Sequence, residues 1–170
     1  DLDSIHEDVE VSLGRGRGGH VARTLALSED IHSRGIKLKL NTVVTRLNWQ
    51  EDMSSFIEKI KPDRWKGFQV LPVLGQNDGS VEDLLITDEQ FQVWVDRHRR
   101  LGVIAESNDL MELSYALVDP LGRFYSSDGT GHKYGPSILE VGVEKAWKSI
   151  SFCEDKFLAR GGIYDWSTKK

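Results

Sequence analysis

Polar and apolar positions alternate through IKLKLNTVV, residues 36–44: Leu38 and Leu40 fall on one side, and Lys37, Lys39 and Asn41 on the other. Period two predicts a strand with an unusually polar face. Before it, Val21, Leu25 and Ile31 recur at near-helical spacing, which predicts a helix over Val21 to Arg34 that Gly35 ends. Asn48 followed by Glu51 has the form of an N-cap pair and predicts a helix from about Trp49 to Ile60, with Pro62 just past its end. WKGFQVLPVL, Trp65 to Leu74, predicts a second strand. Thr87 and Gln90 form a capping box ahead of EQFQVWVDRHRRLG, where Phe91, Trp94, Val95 and His98 share a face and Gly102 is the stop. GVIAES predicts a third strand. The alternation argues for an α/β fold of parallel βαβ units, either an open doubly wound sheet or part of a barrel. The last third differs: short strands from Ser114 to Ser126 around the turn DPLGR, a loop SDGTGHKYGPS, a helix near Leu139 to Ser149, and ARGGIYDW as an ordered tail.

The chain has 170 residues, 39% of them apolar, enough for one ordinary domain with a core. Its 27 acids against 22 bases give a net charge of −5, which excludes a generally polyanion-seeking surface. Direct nucleic-acid binding is not expected, and a nucleotide must be met by a local basic site. Cys153 is the single cysteine, so this chain alone builds no disulfide framework, zinc finger or iron–sulfur cluster. That usage suits an intracellular, cytoplasmic setting. No apolar run approaches the ~20 residues of a membrane span, and Asp1-Leu2-Asp3 opens no signal peptide. The chain does not begin with Met and reads as a piece of something longer.

LGRGRGGH, residues 13–20, is the densest chemical signal. Gly14, Gly16 and Gly19 satisfy G-x-G-x-x-G, but a dinucleotide site needs an acid about 20 residues on, and none lies between Asp30 and Glu51. No Lys-Ser/Thr follows, which excludes a phosphate loop of the Walker type. An Arg-Gly box for RNA needs a repetitive, disordered setting that is lacking here. On its own the loop reads as a glycine-rich turn with solvated arginines. Hydrolase signatures are missing, and the five histidines have no metal-ligand spacing. Cys153 has no activating partner in sequence.

Ligands of parallel sheets bind at the carboxyl ends of strands. Lys39 and Asn41 lie on the polar face of one predicted strand, Arg64 and Lys66 begin the next, Lys133 sits in the glycine-rich loop, and Arg160 heads the RGG. Singly each reads as a solvated charge. Jointly they suit a polyphosphate, with Arg giving bidentate contacts and Lys point charges.

The order DSIHEDV…LGRGRGGHV, KLNTVVTRLNWQEDM, PDRWKGFQVLPVLGQN, AESND, SYALVDPLGRF, PSILEVGVEKA and FLARGGIYDWS resembles the C-terminal half of viperin-type radical S-adenosylmethionine enzymes, over essentially the whole chain. The resemblance implies the C-terminal part of a partial (β/α)6 radical-SAM barrel in residues 1–112, with an extension in 113–170 that closes over the nucleotide site. It implies two cofactors, S-adenosyl-L-methionine and a [4Fe–4S] cluster held by a Cys-x3-Cys-x2-Cys loop. The reaction implied is abstraction of the 4′ hydrogen of CTP or UTP by a 5′-deoxyadenosyl radical, giving the 3′-deoxy-3′,4′-didehydro nucleotide, a chain terminator in antiviral defence.

By the same resemblance Arg15 would reach the carboxylate of S-adenosylmethionine and Asn41 its ribose. Lys39, Arg64, Lys66, Lys133 and Arg160 would grip the triphosphate, and Asn108 and Tyr115 would line the substrate side. The cluster cysteines are absent from this chain, so their loop is expected upstream of Asp1, the alternative being a non-catalytic nucleotide-binding homologue. Ile163 stands where many relatives have Lys. The chain stops at Lys170 without the aromatic end through which viperins engage the iron–sulfur assembly machinery.

Overall fold

A computed structural model describes residues 1–164. Asp165 to Lys170, including the Trp166 end of the expected tail, lie outside the described residues. Contacts divide the chain into two units, one of residues 1–70 and 83–107, the other of 71–82 and 108–164.

The first unit is a mixed α/β layer. Helix α1 (Glu7–Ser12) and α2 (His20–Ser33) lead to strand β1 (Lys39–Val44), then α3 (Ser54–Ile60), β2 (Arg64–Gln69), α4 (Asp88–His98) and β3 (Ile104–Glu106). The three strands are parallel in the order β1-β2-β3, with Lys39 opposite Arg64, Asn41 opposite Lys66 and Phe68 opposite Glu106. Alternation separates two faces. Leu40, Val44 and Trp65 on one face join Ile57 and Ile60 of α3 and Phe91, Trp94 and Val95 of α4, with Leu2 and Met53, in one core. Trp65 and Trp94 meet edge to face, their ring centroids 5.4 Å apart, and aromatic burial of this kind dominates core energetics. The opposite face carries Lys39, Asn41, Arg64, Lys66 and Glu106.

The helix ends obey local chemistry. Thr87 Oγ1 accepts from Gln90 N at 3.2 Å and Gln90 Oε1 accepts from Thr87 N at 2.9 Å, the reciprocal box expected for α4. The helix expected from Trp49 starts only at Ser54, because Asn48 and Glu51 serve other donors and acceptors. Asn48 Oδ1 accepts from Thr45 N and its Nδ2 donates to Asp3 O and Val43 O, while Glu51 accepts from Ser4 Oγ and Ile5 N. Both tie the N-terminal residues to the end of β1. The second strand ends at Gln69 rather than Leu74.

The second unit is built on an antiparallel sheet, β4 (Leu117–Val118), β5 (Arg123–Ser127) and β6 (His132–Ser137), in that order. The DPLGR turn forms as expected: Asp119 Oδ1 accepts from Leu121 N and Arg123 N at 3.0 and 2.9 Å. The expected loop SDGTGHKYGPS is in large part β6, paired with β5 through Ser126–Lys133 and Tyr125–Tyr134. Around the sheet lie α5 (Asn108–Met111), α6 (Ile138–Val141), α7 (Val143–Lys148) and α8 (Glu154–Ala159). One helix was expected where α6 and α7 stand; Gly142, at φ 81° and ψ 158°, breaks it. A run of rings, Phe124–Trp147, Trp147–Phe152 and Phe152–Phe157 at 5.6, 5.2 and 5.7 Å, packs this unit.

Candidate functional site

In the first unit the glycine-rich loop connects α1 to α2. The left-handed backbone at Gly19, φ 74°, turns the chain into α2. The first amides of that helix are taken by Glu7: His20 N donates to Oε2 at 2.8 Å, and Val21 N to Oε1 at 2.9 Å. A carboxylate thus occupies the positive helix end where a phosphate cradle would place its ligand. The two loop arginines differ. Arg15 Nε donates to Asp3 Oδ2 at 2.7 Å and Asp3 Oδ1 accepts from Val43 N at 2.8 Å, which fixes Arg15 to β1; Arg17 is exposed. Beneath them the fully buried Glu10 accepts from Asp3 N and Ser4 N, and burial pushes its carboxyl pKa up.

The polar face of the parallel sheet brings four of the expected residues together. Lys39 and Asn41 stand opposite Arg64 and Lys66 in register. Lys39 is exposed, Asn41 is half-buried, and Arg64 and Lys66 are buried. Asn41 Oδ1 is itself buried and accepts no hydrogen bond among the described residues, so it invites a donor from a ligand. Glu106, fully buried at the end of β3, forms an ion pair with Lys66. The sequence pattern did not single out this residue, although the carboxyl end of a parallel strand is where ligand contacts concentrate.

In the second unit Arg160 is buried at the end of α8. Its guanidinium carbon lies 3.7 Å from the Tyr115 ring centroid and 5.3 Å from that of Phe157, and Nη2 donates to Ser114 O at 2.7 Å. The RGG that follows stops the helix. Gly161 takes φ 69°, Gly161 N donates to Leu158 O and Gly162 N to Phe157 O, the Schellman pattern. Asn108 opens α5. Lys133 stands on β6, exposed, with Nζ 3.9 Å from Asp128 Oδ2; the glycine-rich loop assigned to it is a strand. Ile163 is 75% exposed.

No group of three or more His, Cys, Asp or Glu able to hold a metal occurs among the described residues, and none of the described helices is long and apolar enough to cross a membrane.

No family model matches the chain. Individual proteins do. It is 42% identical over 99% of its length to the S-adenosylmethionine-dependent nucleotide dehydratase of Lacinutrix mariniflava, and 42% identical over 97% to that of Flammeovirga pacifica. It is 36% identical over 97% to the S-adenosylmethionine-dependent nucleotide dehydratase RSAD2 of Oncorhynchus mykiss. The chain belongs to this viperin-type family. It spans 37%, 58% and 50% of these three relatives. Within a viperin-type chain the polar sheet face and the Arg160–Tyr115 stack are the two places where several expected side chains meet.

Proposed function

We propose that this chain forms the nucleotide- and S-adenosylmethionine-binding part of a viperin-type radical enzyme, a nucleoside triphosphate dehydratase that converts CTP or UTP to its 3′-deoxy-3′,4′-didehydro analogue. The observation that carries the reading is the polar face of the parallel sheet, where Lys39, Arg64 and Lys66 share one side with the buried, unpartnered Asn41 oxygen. Three cations on one face suit a polyphosphate, and a buried amide oxygen suits a ribose hydroxyl. In this reading residues 1–112 belong to a partial (β/α)6 barrel and residues 113–170 to an extension over the nucleotide.

The residues fit S-adenosylmethionine. Arg15 is fixed through Nε to Asp3, with Nη1 3.8 Å from Asp1 Oδ2 and a third of its side chain exposed, and a ligand carboxylate would compete with Asp1 for its terminal N–H groups, while Asn41 Oδ1 accepts from the ribose. They do not fit the cluster, because Cys153 is the one cysteine, so its ligands must come from sequence outside this chain. When bound, these groups supply hydrogen-atom abstraction at the 4′ position of the sugar. The chain's own residues serve that event: Lys39, Arg64 and Lys66 of the first unit and Lys133 and Arg160 of the second supply the charge that neutralises the triphosphate, Tyr115 and Asn108 border the substrate, and the burial of Arg64 and Lys66 on the sheet face keeps water from those two cations.

The test uses the full-length, anaerobically reconstituted protein with dithionite and S-adenosylmethionine, and follows 5′-deoxyadenosine by mass spectrometry with CTP, UTP, GTP and ATP in turn. Stimulation by CTP or UTP, with a product lighter than that nucleotide by one water, is expected. Background 5′-deoxyadenosine with all four despite a bound cluster overturns the reading in favour of a non-catalytic nucleotide-binding homologue.

A further inference from the structure

The face that gathers Lys39, Arg64 and Lys66 also holds one carboxylate, Glu106. This is the opposite of what a surface built only to attract phosphate would carry. Glu106 is fully buried and its partner Lys66 nearly so, with side chains 0% and 5% exposed. The two are joined Nζ to Oε1 across neighbouring strands, and the Lys66 ammonium also lies 6.0 Å from the Phe68 ring centroid. Asn41 faces Lys66 from β1.

Burial without a counter-charge drives a lysine toward its neutral form and leaves its four-carbon stem free to choose rotamers. A neutral amine would give a phosphate no Coulomb attraction. Glu106 removes both problems, since it keeps the ammonium ionised before the ligand arrives and takes one of its three N–H donors, which fixes where the other two point. The carboxylate repels an incoming anion, but its side chain is fully buried while that of Lys66 keeps 5% of its surface exposed.

We infer that Glu106 is a positioning residue for the triphosphate, acting through Lys66 by holding its buried ammonium charged and aimed. The inference rests on the nucleotide reading above and extends it to a residue that touches no phosphate itself.

A double-mutant cycle tests it in the full-length protein: calorimetric Kd for CTP and for UTP in the wild type, Glu106→Gln, Lys66→Met and Glu106→Gln/Lys66→Met, with the melting temperature of each. Glu106→Asp is carried alongside as the variant that keeps the charge. For whichever nucleotide the wild type binds, Glu106→Gln is expected to raise Kd about tenfold and Glu106→Asp to recover part of that loss. In the Lys66→Met background the glutamine is expected to change Kd less than twofold. An equal loss in both backgrounds means a merely structural role and overturns the inference, as does a Glu106→Gln Kd within twofold of wild type. Should Glu106→Gln not fold, Glu106→Asp alone decides, a Kd unchanged from wild type with the ion pair lengthened by one methylene being the overturning result. Failure of the nucleotide reading looks different: the wild type binds neither nucleotide, or Lys66→Met leaves Kd unchanged.

Discussion

The guanidinium carbon of Arg160 lies over the ring of Tyr115, 3.7 Å from its centroid, and Nη2 donates to the carbonyl of Ser114, the residue just before that tyrosine. Two neighbouring residues therefore hold one cation, by its π face and by one edge. The aromatic ring takes up the face of the guanidinium rather than its N–H edges.

Replacing Tyr115 separates ring from hydroxyl. Tyr115→Phe keeps the ring under the guanidinium, so its unfolding free energy is expected to lie closer to wild type than that of Tyr115→Leu. Tyr115→Leu removes the π face and is expected to cost about 1–2 kcal/mol and to weaken nucleotide binding severalfold. Urea denaturation and calorimetric titration of the three proteins check this; equal behaviour of Phe and Leu would remove the stack from the account.

Gly162 bears on the same cation through Phe157. A Cβ at this glycine would lie inside the van der Waals shell of three Phe157 ring carbons, and Phe157 borders the Arg160 guanidinium. Gly162→Ala must shift that ring, at about 1–3 kcal/mol. The expected outcome is a lowered urea midpoint with a raised nucleotide Kd. A Kd unchanged at full occupancy of the folded state would separate the RGG turn from the binding of phosphate.

Much of the first unit is legible from residues because its signals are local. Leu40 against Lys39 and Asn41 gives the two faces of β1, and Thr87 with Gln90 gives the start of α4. The errors arise where side chains answer tertiary partners. Asn48 and Glu51 are good capping residues for the same reason that they bind Asp3, Ser4 and Ile5: a short polar side chain satisfies whichever backbone group is nearest. Lys133 lies among glycines that signal a loop, yet the hydrogen bonds of β6 to β5 override that signal. Glu106 escaped notice because nothing in a three-residue strand marks a buried carboxylate until its lysine partner, forty residues earlier in the chain, is placed beside it.

Lys39 in the first unit and Lys133 in the second are the exposed cations of the proposed triphosphate-binding set and test the charge argument. Each is expected, on truncation to alanine, to raise the nucleotide Kd at least tenfold through loss of a charge-assisted contact of roughly 1.5–3 kcal/mol. Both are exposed, so stability should be almost untouched. Lys133 begins 3.9 Å from Asp128, and Asp128→Asn is therefore expected to tighten binding modestly. Calorimetry at two salt concentrations distinguishes the cases, because a true phosphate contact weakens with ionic strength; unchanged Kd in both alanine variants removes the two lysines from the site.

His98 gives the first unit a pH dependence whose sign is set by burial, against the opposing hydrogen bond to Trp94 O. Met53 N donates to Nε2 at 3.0 Å, so that nitrogen carries no proton, and Nδ1–H donates to Trp94 O at 2.8 Å. The ring is fully buried between Trp65 and Trp94, and this burial is the main cause that lowers its pKa from 6.5. Asp52, with Oδ1 3.7 Å from Nε2, opposes the shift, while Arg97 and Arg100 add to it. A depressed histidine binds its proton in the unfolded chain before the folded one. Stability is therefore constant above about pH 6.5 and falls as pH drops below that value toward the folded pKa. Glu10, whose pKa is raised, works in the reverse sense: its contribution is complete below 4.5 and is lost as pH rises through its folded value. Comparison with His98→Gln cancels the Glu10 effect. Urea midpoints from pH 7.5 to 5 should fall for wild type relative to the variant, and the His98 ring protons in the folded protein should show a midpoint below pH 6.5. Parallel pH curves for the two proteins would show that His98 accepts a proton without disturbing its two hydrogen bonds, which the geometry at Met53 excludes.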